Sequence, residues 1–251
     1  AMKGLVRWRL ALESLAALVV FGAVKAAMHA IGLEYLELNT LFSSVIGGAV
    51  FVFGLILAGT LADYKESERI PAEIAAVAAS IAEDGRYCKE QFAEFDEPAL
   101  RTRVLELLKA FRADLGTPGS RTALDALAAL TPSFIEMERV GLPANHVVRL
   151  KGEQAAIRRT LLRVYYIQKI DFLPSAYNFV RTLVALIVGL LLFTMIEPMW
   201  LGVTLVGFIA YLFTYILRLL KTLDTPFRVH EKTQDDVSLF LVHELEERLA
   251  G

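Results

Sequence analysis

Apolar residues run for membrane-length stretches at four places: Leu10 to Leu33, Leu38 to Ala62, Ala176 to Ile196, and Met199 to Leu217. A bilayer core takes about 20 apolar residues in a helix, so each stretch reads as one spanning helix. The first carries Glu13, Lys25 and His29 and is too long and too polar for a signal peptide. The last two are separated only by Glu197-Pro198, which predicts a tight helical hairpin. The second does not stop at its polar end. Its helical pattern runs on from "FVFGLILAGTLA" through "DYKESERIP" to Pro71.

Between the second and third spans, 63–172 has the periodicity of water-exposed helices. "IPAEIAAVAASIAEDGRYCKEQFAEF" is Ala-rich and helical in period, and "PALRTRVLELLKAFRADLG" predicts a helix from Pro98 to Gly116. The "TPGS" and "VGLPAN" clusters are turns. A long helix from near Asn145 to Ile170 leads towards a break near Pro174, and a last helix is predicted over 235–249. There is no strand pattern and no internal repeat. The fold class is all-α, and 1–251 reads as a single membrane-plus-cytosol helical unit.

Composition sharpens this picture. Hydrophobic residues make up 55% of the 251 and charged residues 22%. The chain is therefore too charged to be embedded throughout. Net charge is −2, which leaves no basic footprint for nucleic acid. Lys and Arg cluster at Lys3, Arg7 and Arg9, at Arg158, Arg159, Arg163 and Lys169, and at Arg218, Lys221 and Arg228, whereas the two short links carry Glu34, Glu37 and Glu197 and no basic residue. By the positive-inside rule both termini and the central segment are cytoplasmic.

Catalytic and metal-binding patterns are missing. The chain has no Gly-rich phosphate loop, no His-Glu-x-x-His and no Gly-x-Ser-x-Gly; the expectation is not an enzyme. Cys88, in "DGRYCKEQ", reads as an idle surface thiol, and His29, His146, His230 and His243 are too scattered to predict a metal site. Glu13, Lys25 and His29 are costly against lipid. Glu13 and His29 can snorkel to the ends of the span or serve an ion pathway or gate. Lys25 is expected against protein or water, and Arg181 raises the same question in the third span.

Gly47, Phe51 and Leu55 recur at four-residue steps and share one face of the second span. Such a face is ordinarily a lipid or packing contact. On a helix that leaves the bilayer without a break it also suits a pore wall that extends into the cytoplasm.

In order along the chain, "FVFGL" with its polar continuation and the Pro71 turn, Pro174-x-x-Tyr177 in "DFLPSAY", "EPMW" with Pro198 and Trp200, and "LDTPF" before acidic residues resemble the bestrophin family of ion channels, in its bacterial members above all. The resemblance implies a homopentamer around one central pore. Its hydrophobic neck would be formed by Gly47, Phe51 and Leu55, and inorganic ions, chloride first, would pass through it passively. It implies no cofactor. The acidic run that forms a calcium clasp in animal members is reduced here to Glu231, Asp235 and Asp236, a candidate regulatory segment whose charges also suit the start of the last helix. The Trp-rich run that follows the neck in that family is here "ADYKESERIP", with no Trp. A cation-conducting member, a secondary transporter broken at "IGG" (Ile46 to Gly48) and a non-conducting scaffold or sensor are the alternatives.

Overall fold

The computed structural model describes residues 9–37, 39–117, 119–169, 174–224, 226–227 and 237–251. Among them are nine α-helices: α1 (Arg9–Ala30), α2 (Thr40–Gln91), α3 (Glu97–Gly116), α4 (Thr122–Ala128), α5 (Thr131–Val140), α6 (Ala144–Lys169), α7 (Pro174–Leu192), α8 (Met199–Asp224) and α9 (Phe240–Ala250). By packing, the described residues divide into two compact units. One holds those of 9–64 and 174–224; the other holds those of 65–169, 226–227 and 237–251.

In the first unit α1 packs chiefly along α8, and α7 packs on both. Close approach of α1 and α8 depends on small residues. A methyl group at Gly207 would lie 2.9 Å from the Leu18 carbonyl oxygen, and one at Gly22 would touch Val203 at 3.5 Å. Such small-residue contacts are how apolar helices associate where burial from water supplies no driving force. α1, α2 and α8 are long and apolar enough to cross a membrane, and α7 contributes a shorter apolar stretch, Tyr177–Leu192.

The ends of these helices differ from the sequence expectation. α1 stops at Ala30, not Leu33: Gly32 is left-handed (φ 66°), and its N–H and that of Leu33 donate to His29 and Met28, a Schellman stop. α7 stops at Leu192, not Ile196. Residues 193–196 leave the helix because their backbone pairs with the α1–α2 link: Tyr35 and Leu36 N–H donate to Phe193 O (3.1 and 3.0 Å), and Met195 N–H donates to Leu36 O (2.7 Å).

The second unit is a helical bundle around a closed apolar core. Its core takes Ile70, Ile74, Ala78, Ile81 and Cys88 from α2, Leu100, Val104, Leu107, Leu108 and Phe111 from α3, Leu150, Ile157, Leu161 and Val164 from α6, and Val242, Leu245 and Leu249 from α9. The Pro98–Gly116 helix matches its prediction, with Asp96 as the N-cap accepting from Ala99 N–H (3.1 Å). "VGLPAN" is a turn closed by left-handed Gly141.

The structure departs from the sequence expectation at three further points. Pro71 makes no turn and lies inside α2. Cys88 is fully buried rather than a surface thiol; its charged neighbours face water while the thiol follows the 74–78–81–88 core stripe, and burial, then nearby Glu136, raises its pKa. The last helix begins at Phe240, since 237–239 are not helical.

Candidate functional site

α2 is a single helix of 52 residues. It begins at an Asn39 cap, whose Oδ1 accepts from Phe42 N–H at 2.8 Å, and Ile46 to Gly48 are helical with no break. Its apolar half has two contrasting sides. Ala49, Phe53 and Thr60 are buried, and Phe53 stacks on Phe213 of α8 with ring centroids 5.1 Å apart. At 100° per residue, Gly47, Phe51 and Leu55 fall on the side opposite that buried stripe. Phe51 is 66% and Leu55 58% exposed, and a methyl group added at Gly47, Gly48 or Gly54 would meet nothing within 4 Å. The three sequence-predicted neck residues therefore form one bare apolar face on a helix anchored from behind.

The polar residues of the first span are paired within the chain. Lys25 is 1% exposed. Its Nζ forms an ion pair with Glu34 Oε1 (2.6 Å) and donates to Leu192 O (3.2 Å) and to Thr194 O. His29 Nδ1 lies 2.9 Å from Glu34 Oε2. Burial alone would push the Glu34 carboxyl up, but Lys25 and His29 outweigh it and hold it below the usual carboxylate range. A buried ammonium is tolerable only with such compensation. The cluster ties α1, the α1–α2 link and the end of α7 together. Glu13 pairs with Arg218 of α8, and Arg181 is exposed. The Glu34 contact was within reach of the sequence: Lys25 and His29 are one helical turn apart, and Glu34 follows a glycine stop.

In the second unit Asp114 is fully buried. Oδ1 accepts from Ser120 Oγ (2.6 Å), Thr122 N (3.1 Å) and Thr122 Oγ1 (2.6 Å), and Oδ2 from Ala123 N (2.9 Å) and Tyr165 OH (2.5 Å). Burial opposes its ionisation, yet these donors keep its pKa lowered, while burial and then Asp114 push the Tyr165 phenol up. The arrangement is structural, closing the "TPGS" turn onto α4 and α6. Among the described residues no three His, Cys, Asp or Glu side chains converge as a metal site. Glu231, Asp235 and Asp236 lie outside the described residues.

Among the described residues the architecture is all-helical, and three helices are long and apolar enough to cross a membrane, which defines a membrane-protein class of fold. No protein-family model and no curated protein matches the chain. Solved structures do. Two point variants of the bacterial bestrophin homolog from Klebsiella pneumoniae superpose with a TM-score of 0.81 at 13% identity, one covering 95% of this chain and 97% of that chain, the other 97% and 96%. A variant of a protein described as a membrane protein gives a TM-score of 0.77 at 13% identity, with 97% of both chains covered. The fold is that of the bacterial bestrophin homologs.

Proposed function

We propose that this chain is the subunit of a bestrophin-type ion channel in a bacterial inner membrane. Five copies surround one pore, and each contributes four spans, with 63–172 and both termini in the cytoplasm. The neck is the Gly47–Phe51–Leu55 face of α2. Ions pass it passively, and gating is by wetting or widening of the apolar throat; anions, chloride first, are the permeant class that the resemblance favours.

The observation that carries this reading is the bare apolar face opposite the Phe53 anchor. In a membrane span such a face meets lipid or another chain, and symmetric copies of α2 would turn it inward onto a shared axis. The length of α2 supports the same reading: 52 residues rise roughly 78 Å at 1.5 Å each, more than twice a hydrocarbon core of about 30 Å. Ile46 to Gly48 are helical without a break, which supports a channel over a transporter with a broken helix at that point.

The test is recording from the purified protein in planar bilayers, with stoichiometry measured on the same preparation. The expected result is discrete conductance from a closed ring whose reversal potential follows the chloride gradient. Conductance from a ring that follows a cation gradient would retain the channel and change its selectivity. A ring that never conducts would leave a scaffold, and an active monomer would exclude a central pore.

A further inference from the structure

In the second unit, α2 and α6 face each other across a cavity of about 300 Å³, lined by Glu66, Arg69, Ile70, Glu73, Arg159, Thr160 and Arg163. The contributors from α2 fall at helical spacing on one face, as do those from α6. Buried Ile70 supplies an apolar lining group. Thr160 Oγ1 donates to Ala156 O at 3.2 Å and so is fixed in place. The volume is at the lower end of small-ligand sites.

The charges lining this cavity are unequal. Arg163 grips Glu66 with two parallel bonds, Nε to Oε1 at 3.0 Å and Nη2 to Oε2 at 2.8 Å, and its guanidinium lies over the Tyr166 ring at 5.4 Å. This pair is preorganised, and Arg163 holds the Glu66 carboxyl ionised, below its usual range. Arg69 reaches Glu73 only at 3.7 Å, with both side chains largely in water, a contact that contributes little. Arg159 is exposed and enters no ion pair or hydrogen bond among the described residues. With Glu66 satisfied, two guanidinium groups on opposite walls are available to a ligand, against one loosely held carboxylate.

The geometry points to an anion site of phosphate chemistry, in which Arg159 and Arg69 clamp the oxygens and the Glu66–Arg163 pair fixes the wall behind them. Planar guanidinium forks suit tetrahedral oxyanions, because each can present two parallel donors. The phosphate can belong to a soluble compound or to a lipid headgroup. This site is separate from the neck, and its existence does not depend on the channel reading.

The test uses the full chain in two arms. Inorganic phosphate is titrated by calorimetry onto detergent-purified protein, and retained lipid is weighed by native mass spectrometry after reconstitution in phosphatidylglycerol or phosphatidylcholine. Arg159→Gln and Arg69→Gln are each expected to weaken phosphate binding at least tenfold or to abolish retention of phosphatidylglycerol. Arg158→Gln, which removes the same charge from the adjacent exposed position outside the cavity, should leave both unchanged, with thermal melting confirming that all three variants are folded. Phosphate binding identifies a soluble ligand and phosphatidylglycerol retention alone a headgroup; either supports the site. Equal losses in Arg158→Gln and Arg159→Gln would overturn it, as would a wild-type protein that binds no phosphate and does not prefer phosphatidylglycerol.

Discussion

Phe51 and Phe53 are the same residue type two positions apart on one helix, yet the first is 66% and the second 3% exposed. Phe53 lies against Phe213 and helps fix α2 to its own unit; Phe51 has no such cover. Further along the same helix no comparable bare stripe of large apolar groups occurs: from Ile70 to Cys88 its apolar positions enter a closed core. A side chain's hydrophobicity thus does not define its role. What matters is whether the chain itself supplies a covering partner.

The contrast predicts unequal responses to the same change. Phe53→Ala should be the most damaging substitution in the apolar half of α2, because it opens a cavity at the α8 contact. In water-surrounded cores such a truncation costs about 3–5 kcal/mol, and the membrane setting lowers its transfer part. The measurement is the yield and thermal melting of purified protein. Tolerance of Phe53→Ala equal to that of Phe51→Ala would break the comparison.

Asp114→Ala should approach that damage in the second unit, at about 3 kcal/mol, because it orphans several buried donors, each costing 1–3 kcal/mol. The pH dependence has a definite sign. The folded carboxyl has a lowered pKa, so its contribution is complete above the unfolded value of about 3.9 and is lost as pH falls through the lower folded value. The melting difference between wild type and Asp114→Asn should therefore shrink on acidification below pH 4. A constant difference would mean that the ionised state contributes nothing.

Gly207→Ala should cost about 1–3 kcal/mol through overpacking, since its methyl group meets the Leu18 carbonyl at 2.9 Å. Gly47→Ala has open space around it within one chain and should leave monomer folding unchanged. If Gly47→Ala changes only the oligomer distribution in native mass measurements, the bare face is sharpened into a contact between copies.

Part of this was legible in the sequence where local signals coincided with helix ends, at Pro98, "TPGS" and Gly141; the apolar runs located helices but not where they end. What escaped reading depended on distant partners. The pairing of 193–196 with the α1–α2 link shortened α7, and the Glu13–Arg218 contact joins residues 205 apart. Cys88 escapes a local reading because charged neighbours mark the outer face of a helix, not the position between them. The Gly47–Phe51–Leu55 spacing was visible from the start, but spacing alone does not distinguish lipid, neighbour or pore.

That distinction falls to one measurement: single-channel current from Phe51→Ala in planar bilayers, made on preparations whose oligomeric state matches wild type. Removing a ring of phenyl groups widens an apolar throat and lowers its barrier to water, so larger or more frequently open currents are expected from an intact ring. Wild-type currents from an intact Phe51→Ala ring would contradict the assignment of this face to the pore.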